Sequence, residues 1–228
     1  MGSASFIAGV MAFTFALSAV AATNCKPPAP TVLVERFTPA DCESCWQTAT
    51  AQDPKDPRRE RVLLLDWIVP AADDAPLAAA AMPEATARAG TSTARATKVR
   101  RVTLTQARAP QLRIADGPAW NGYIGIQLSV RKRGPLPADA VAYAALVERV
   151  PAGSEGTPIA RQLVRALVGP LSLDELASQP SVLHLRALRL PEASRADRLA
   201  SVGWVETASG RVIAATQSTL GDCAADKR

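Results

Sequence analysis

Two cysteines separated by two residues, Cys42 and Cys45, follow a strongly apolar run at residues 31–37. The apolar run predicts a buried β-strand, and a Cys-x-x-Cys after a short turn predicts the first turn of a helix. The spacing lets the two sulfurs bond to each other, and the helix N-terminus favours a thiolate at the first cysteine. In thiol–disulfide exchange Cys42 would attack and Cys45 would resolve the mixed disulfide. The motif therefore makes Cys42 and Cys45 the candidate catalytic residues.

The N-terminal segment predicts export. Residues 1–22 carry no charged side chain, and residues 18–22 supply small side chains of the kind that precede a signal-peptidase site. We expect a cleaved signal peptide and a bacterial protein that is periplasmic or secreted. The alternative is an uncleaved anchor helix, and only in that case would the protein be held at a membrane.

Export changes the interpretation of the four cysteines, because disulfides persist in an oxidising compartment. Four cysteines allow three pairings. With Cys42 and Cys45 as the local pair, Cys25 and Cys223 remain, and we expect them to form a structural disulfide that closes almost the whole mature chain. One Cys-x-x-Cys and one histidine do not supply a zinc site, so neither a metal nor another cofactor is predicted.

The distribution of charge does not predict a nucleic-acid-binding protein. The net charge is +5, but the basic residues are scattered and few aromatic residues lie among them. Such a distribution is typical of a solvated surface rather than of a nucleic-acid interface. The sequence does not indicate an oligomeric state.

The pattern of predicted strands and helices changes near residue 95. Before it, a second apolar run at residues 61–69 predicts a parallel strand covered on both faces, and the Ala-rich residues 76–89 predict a helix. After it, about eight short strand-like runs predict an antiparallel sandwich, with a bulge at Gly125. We therefore predict an α+β protein, with a shortened β/α unit at residues 23–95 and a β-sandwich at residues 96–228.

The segment from the first strand to the cysteines resembles a family of secreted proteobacterial thioredoxin-like proteins of unknown function. The resemblance rests on Glu35, Phe37 and Thr38 before the Cys-x-x-Cys and on Asp66-Trp67 in the second strand. The β-rich C-terminal part is similar to Omp28-like proteins. The resemblance implies a thioredoxin-like fold. Thioredoxin-like enzymes also place a cis-proline opposite their cysteines, and Pro110 is the candidate for that residue. The alternative is that Pro110 only begins the first strand of the sandwich.

The surroundings of the cysteines depart from those of thioredoxins. Asp41 stands before Cys42, where thioredoxins have tryptophan, and Trp46 follows Cys45 instead. Asp41 and Glu43 place negative charge beside Cys42, which opposes thiolate formation. We therefore favour a non-enzymatic envelope protein with a structural Cys42–Cys45 disulfide. The alternative is a periplasmic thiol–disulfide oxidoreductase, so enzymatic activity stays open at this point. The expected partners are envelope proteins in the first case and periplasmic protein thiols in the second.

Overall fold

The computed structural model describes residues 29–48, 60–90, 96–105, 107–192 and 194–218, and this part of the chain is rich in β-strands. Short 3₁₀ turns lie at Ala78–Ala80, Asp174–Ala177 and Ala196–Arg198. The helices and strands follow along the chain as β1 (Val32–Pro39), α1 (Glu43–Gln47), β2 (Val62–Val69), α2 (Pro83–Ala89), β3 (Lys98–Thr103), β4 (Gln111–Trp120), β5 (Tyr123–Arg131), β6 (Val141–Val150), β7 (Arg161–Ser172), β8 (Ser181–Arg189), β9 (Leu199–Glu206) and β10 (Val212–Gln217).

Seven of these strands form one mixed sheet in the order β10-β9-β6-β7-β2-β1-β3. β1 and β2 pair in parallel, β2 and β7 also run parallel, and the other neighbours are antiparallel. β1 and β2 are buried on both faces, as their nearly continuous apolar runs predict. Strands from both sides of residue 95 thus belong to one sheet, which brings β7 to the neighbourhood of the Cys-x-x-Cys segment.

A second, three-stranded sheet in the order β4-β5-β8 packs on one face of the large sheet. The alternation along β5 turns one side of the small sheet inward and leaves the other side exposed. The core between the two sheets includes residues from all three strands of the small sheet and from β6, β7, β9 and β10, among them Leu112, Ile126, Leu128, Val130, Leu146, Leu171, Val182 and Val205. The structure therefore has two sheets packed face to face over this region.

The other face of the large sheet carries an aromatic core that α2 covers. Trp67 of β2 stacks with Phe37 of β1 at a centroid distance of 6.3 Å and meets Trp204 of β9 edge-on at 6.5 Å. Ala85 and Ala89 of α2 are buried against this core. Their small side chains let the short helix lie close to the sheet.

Several predicted elements change their extent or place. The Ala-rich helix begins at Pro83 rather than at residue 76, because proline fits the first helical position but cannot continue a helix that precedes it. β3, which we expected in the sandwich, pairs with β1 at the edge of the large sheet. No helix in the described ranges combines the length and the hydropathy that crossing a membrane requires.

Gly203 of β9 lies where the two sheets pack closely against each other. A Cβ atom at this position would lie 2.7 Å from Cδ1 of Leu128 and 3.3 Å from Cδ1 of Ile114. Gly203→Ala should therefore lower the free energy of unfolding by about 1–3 kcal/mol, because Leu128 is buried and has little room to move. Urea denaturation followed by circular dichroism measures this change.

Gly125 provides the matched control. It lies on the exposed side of β5, and a Cβ atom there would meet no heavy atom within 4 Å. Gly125→Ala should stay within about 0.5 kcal/mol of the parent protein. Equal effects of the two substitutions would show that close packing at Gly203 does not hold the sheets together.

Candidate functional site

The two cysteines lie at the start of α1, immediately beyond the end of β1. Cys42 caps the helix, and its carbonyl accepts hydrogen bonds from the backbone N–H groups of Cys45 and Trp46 at 3.0 and 3.3 Å. The two sulfurs form a disulfide across a Cα–Cα distance of 5.2 Å. Both cysteines are partly buried, and the hydroxyl of Ser44 lies 3.6 Å from the sulfur of Cys42. The structure thus brings together the pair that the spacing predicts.

The backbone between β1 and α1 is held by β2 and the loop after it. The N–H of Ala40 donates to the carbonyl of Val69 at 2.8 Å, and the carbonyl of Ala40 accepts from the N–H of Leu77 at 3.0 Å. Ala40 itself is fully buried. These contacts fix the direction in which the chain enters the Cys-x-x-Cys turn.

Trp46 anchors α1 to the rest of the molecule. Its side chain is 6% exposed and packs with Ala40, Ile68, Val150 and Leu163. Its indole N–H donates to the carbonyl of Glu155 at 2.7 Å, in the loop between β6 and β7. The aromatic residue that follows the second cysteine therefore ties the disulfide turn to the second half of the chain.

Arg161, the first residue of β7, lies beneath α1 and is buried. Its guanidinium donates to the carbonyl of Trp46 at 2.7 Å and stands 4.6 Å from the centroid of the Trp46 ring. Another of its nitrogens donates to the hydroxyl of Thr157 at 2.9 Å. A cation at the last carbonyls of a helix is favourable, and the stacking on tryptophan adds to this attraction.

Asp66 of β2 supplies the negative charge for this buried region. Its carboxylate accepts two hydrogen bonds from Arg36, at 2.6 and 2.7 Å, and one from Arg161 at 3.4 Å. The backbone N–H of Gln162 donates to the same carboxylate at 2.8 Å. We call Arg36, Asp66 and Arg161 the Asp66 network. Burial lowers the pKa of Arg161, and the charge of Asp66 opposes that shift.

A second buried charge cluster, which the sequence did not indicate, lies on the opposite face of the large sheet. Arg88 of α2 pairs with Glu35 of β1 and Glu206 of β9, and Arg100 of β3 also pairs with Glu35. Burial alone would lower the pKa of Arg88, but the two carboxylates outweigh it and the net shift is upward. The guanidinium lies 4.8 Å from the centroid of the Trp204 ring. This cluster fastens α2 to the sheet.

Pro110 does not take the predicted place. Among the described residues the cis peptide bond is Gly169–Pro170, and Pro110 is a buried residue just before β4 of the small sheet. The strand beside the end of β1 is instead β3, and the hydroxyl of Thr97, the residue before β3, lies 3.1 Å from that of Thr38. Pro110 is therefore not the cis-proline, because the chain reaches it only after leaving the large sheet.

The other predicted site residues are untested. Cys25 and Cys223, and the proposed signal at residues 1–22, lie outside the described residues. Within the described ranges, no group of three or more histidine, cysteine, aspartate or glutamate side chains is arranged to hold a metal ion.

The Asp66 network predicts a large effect of a small change. Asp66→Asn keeps the shape of the side chain but leaves Arg36 and Arg161 buried without a carboxylate, which should lower the free energy of unfolding by about 3–5 kcal/mol. Urea denaturation measures the change, and hydrogen exchange at the α1 amides should become faster because Arg161 loses its orientation.

Asp197→Asn is the control substitution, since it removes the same charge from an exposed pair with Arg195. It should change stability little. A similarly small effect of Asp66→Asn would contradict the importance that we give to the Asp66 network.

One solved structure is similar to this chain in its β-rich architecture. No protein-family model matches the chain, and no curated protein matches it. The solved structure of HBP35 of Porphyromonas gingivalis is similar, with a TM-score of 0.54 and 14% sequence identity over 84% of this chain and 76% of that chain. At this identity the likeness concerns the β-rich architecture alone.

Proposed function

We propose that this protein is an exported, non-enzymatic envelope protein with a thioredoxin-like core, in which the Cys42–Cys45 disulfide is structural. A strand, a Cys-x-x-Cys turn, a short helix and a parallel second strand follow in the order that the resemblance predicts. The periplasmic or secreted location rests on the predicted signal at residues 1–22. The proposed partners are other envelope proteins.

The observation that carries this proposal is the residue beside the cysteine end of β1. Thioredoxin-like enzymes use a cis-proline opposite the cysteines to align the substrate backbone. Here β3 flanks that end of β1, and the residue before β3 is Thr97, whose hydroxyl is engaged by Thr38. In the described part of the chain, the feature that would receive a substrate disulfide is therefore replaced by a contact inside the protein.

The charges around Cys42 support the same conclusion. Asp41 and Glu43 are exposed neighbours of Cys42, and the carboxylate of Glu43 accepts a hydrogen bond from Gln47 at 3.1 Å along α1. A helix of five residues offers a weak dipole, and two negative charges oppose it. The reduced form therefore gains little stabilisation from a thiolate, whereas strong disulfide oxidants stabilise their reduced form.

A thiol–disulfide oxidoreductase is the second candidate, and one observation favours it. Cys42 and Cys45 are partly exposed, and Ser44 between them is exposed. An external thiolate could therefore reach the disulfide, attack one sulfur and leave the other as a thiolate. α1 would remain attached to the protein through Trp46 and Arg161 after this reduction, so the site could survive both redox states.

The thiol pKa of reduced Cys42 separates these candidates. We expect a pKa near the ordinary value of about 8.5, because the helix-end effect and the two carboxylates nearly cancel. The pH dependence of alkylation by iodoacetamide measures this pKa. Turnover in an insulin-reduction assay should be weak, and a thiol pKa below about 7 would favour the oxidoreductase.

Removing the two negative charges beside Cys42 tests whether they set the pKa of its thiol. The double substitution Asp41→Asn and Glu43→Gln should lower the pKa of Cys42 and speed its alkylation at a pH of about 7. The matched control is Asp174→Asn with Glu175→Gln, which removes the same charges from an exposed 3₁₀ turn after β7. Equal alkylation rates in the two double variants would show that the carboxylates beside Cys42 do not set its reactivity.

A further inference from the structure

The outward side of the small sheet exposes an unusual set of large apolar side chains. Trp120 is 82% exposed, Leu185 61%, Leu183 53% and Tyr123 49%. The strand register places them on one surface, because Trp120 pairs with Tyr123 across the hairpin and Leu183 and Leu185 of β8 pair with Ser129 and Gln127 of β5. We call this surface the outer face. A contiguous exposed apolar face of this kind marks an interaction site.

The charge of the outer face has one sign. Its charged side chains are Arg113 of β4, Arg131 of β5 and Arg189 of β8, and this face of the three described strands bears no acidic residue. Asp116 borders the face but belongs to the inward register, where its carboxylate accepts a hydrogen bond from the hydroxyl of Ser201. The outer face therefore carries arginines towards both of its ends, and the middle between them is mainly small and apolar.

The middle of the outer face is recessed. A depression of about 540 Å³ lies between β4, β5 and β8, where small residues follow one another across the strands. Its lining includes Ala115, Gly117, Gly125 and Ala187, with Leu185 beside them, and Asp116 and Arg186 of the inward register also border it. A recess of this size accepts side chains that protrude from a partner.

A second copy of the chain is a poor occupant of this face. Two copies related by a two-fold axis would bring arginines of one face towards arginines of the other, because an isologous contact uses the same patch twice. Like charges across an interface oppose association. The charge of the outer face instead requires a partner that carries carboxylates.

We propose that the outer face binds an extended acidic polypeptide segment of a partner protein, with apolar side chains in the recess and carboxylates at the arginines. In the strand register Arg189 lies opposite Tyr123, and Arg113 lies opposite Ser129. Tyr123 and Ser129 are six positions apart on β5. Six residues of a strand span about 20 Å. The partner segment thus carries its carboxylates on both sides of about six largely apolar residues. This binding is independent of the redox state of Cys42 and Cys45.

The test uses a synthetic peptide with two glutamates at each end and an apolar centre of about six residues, the length that spans the face. Trp120 reports binding, because the other three tryptophans, Trp46, Trp67 and Trp204, are at most 6% exposed. The peptide should protect Trp120 from acrylamide quenching in a saturable manner, and higher salt should weaken the binding. Absence of protection at millimolar peptide would overturn the proposal.

Charge reversal provides the specificity test. Arg113→Glu and Arg189→Glu should each weaken binding of the acidic peptide about fivefold or more and strengthen binding of the same peptide with lysines in place of glutamates. Arg211→Glu, an exposed position in the β9–β10 hairpin, is the control with the same charge change and should leave binding unchanged. Equal weakening by all three substitutions would mean non-specific attraction and would contradict a defined site.

Two further measurements decide between occupants. Tighter binding to phosphatidylglycerol vesicles than to the peptide, with Trp120 protected by the vesicles, would overturn the proposal in favour of a membrane surface. Sedimentation of the free protein as a dimer that dissociates on Leu185→Asp would overturn it in favour of self-association. Reduction of the disulfide should leave peptide binding unchanged, so an error about the role of Cys42 and Cys45 is distinguishable from an error about the outer face.

Discussion

The bidentate ion pair between Arg36 and Asp66 is the interaction on which the geometry around the disulfide depends. Both side chains are about 98% buried, and the same carboxylate also contacts Arg161. Arg161 in turn holds the carbonyl of Trp46, so β1, β2, β7 and α1 meet at one carboxylate. Burying two arginines with one aspartate is expensive unless every donor finds an acceptor. The backbone carbonyl of Ala160 accepts a hydrogen bond from Arg36, and that of Trp46 accepts one from Arg161. We expect these contacts to hold α1 in place whether or not Cys42 and Cys45 are bonded.

Buried ion pairs join strands of the large sheet on both of its faces. On one face the Asp66 network joins β1 and β2 to the start of β7, and on the other Arg88 joins α2 to Glu35 of β1 and Glu206 of β9. Aromatic side chains surround the second cluster, and the indole N–H of Trp204 donates to Glu206 at 3.0 Å. Removing one partner from either cluster would leave a buried charge uncompensated, which should be strongly destabilising. The small sheet, by contrast, is attached mainly through apolar contacts, together with the hydrogen bond from Ser201 to Asp116, and its outer face is exposed.

Local patterns in the sequence predicted the local features well. The apolar runs indicated β1 and β2 as buried strands, and the two-residue spacing indicated the Cys42–Cys45 pair, because both depend on neighbouring residues. The Asp66 network could not be predicted in this way, since Asp66 lies 30 residues from Arg36 and 95 from Arg161 and arginine usually indicates a solvated surface. The location of β3 beside β1 and the irregularity between Asp116 and Ala119, rather than at Gly125, likewise depend on pairing across the sheets. The prediction that Pro110 is the cis-proline was wrong. Which residue lies opposite the cysteines depends on how the chain folds, and the order of residues in the sequence does not reveal it.

The reduction potential of the Cys42–Cys45 pair tests the structural role of the disulfide most directly. Equilibration of the protein with defined mixtures of reduced and oxidised dithiothreitol, followed by alkylation and mass analysis of the peptide that contains both cysteines, measures it. A structural disulfide, with no stabilised thiolate at Cys42, should have a potential below about −300 mV. A value between about −270 and −120 mV, the range of catalytic dithiols, would contradict this account and identify the protein as an oxidoreductase.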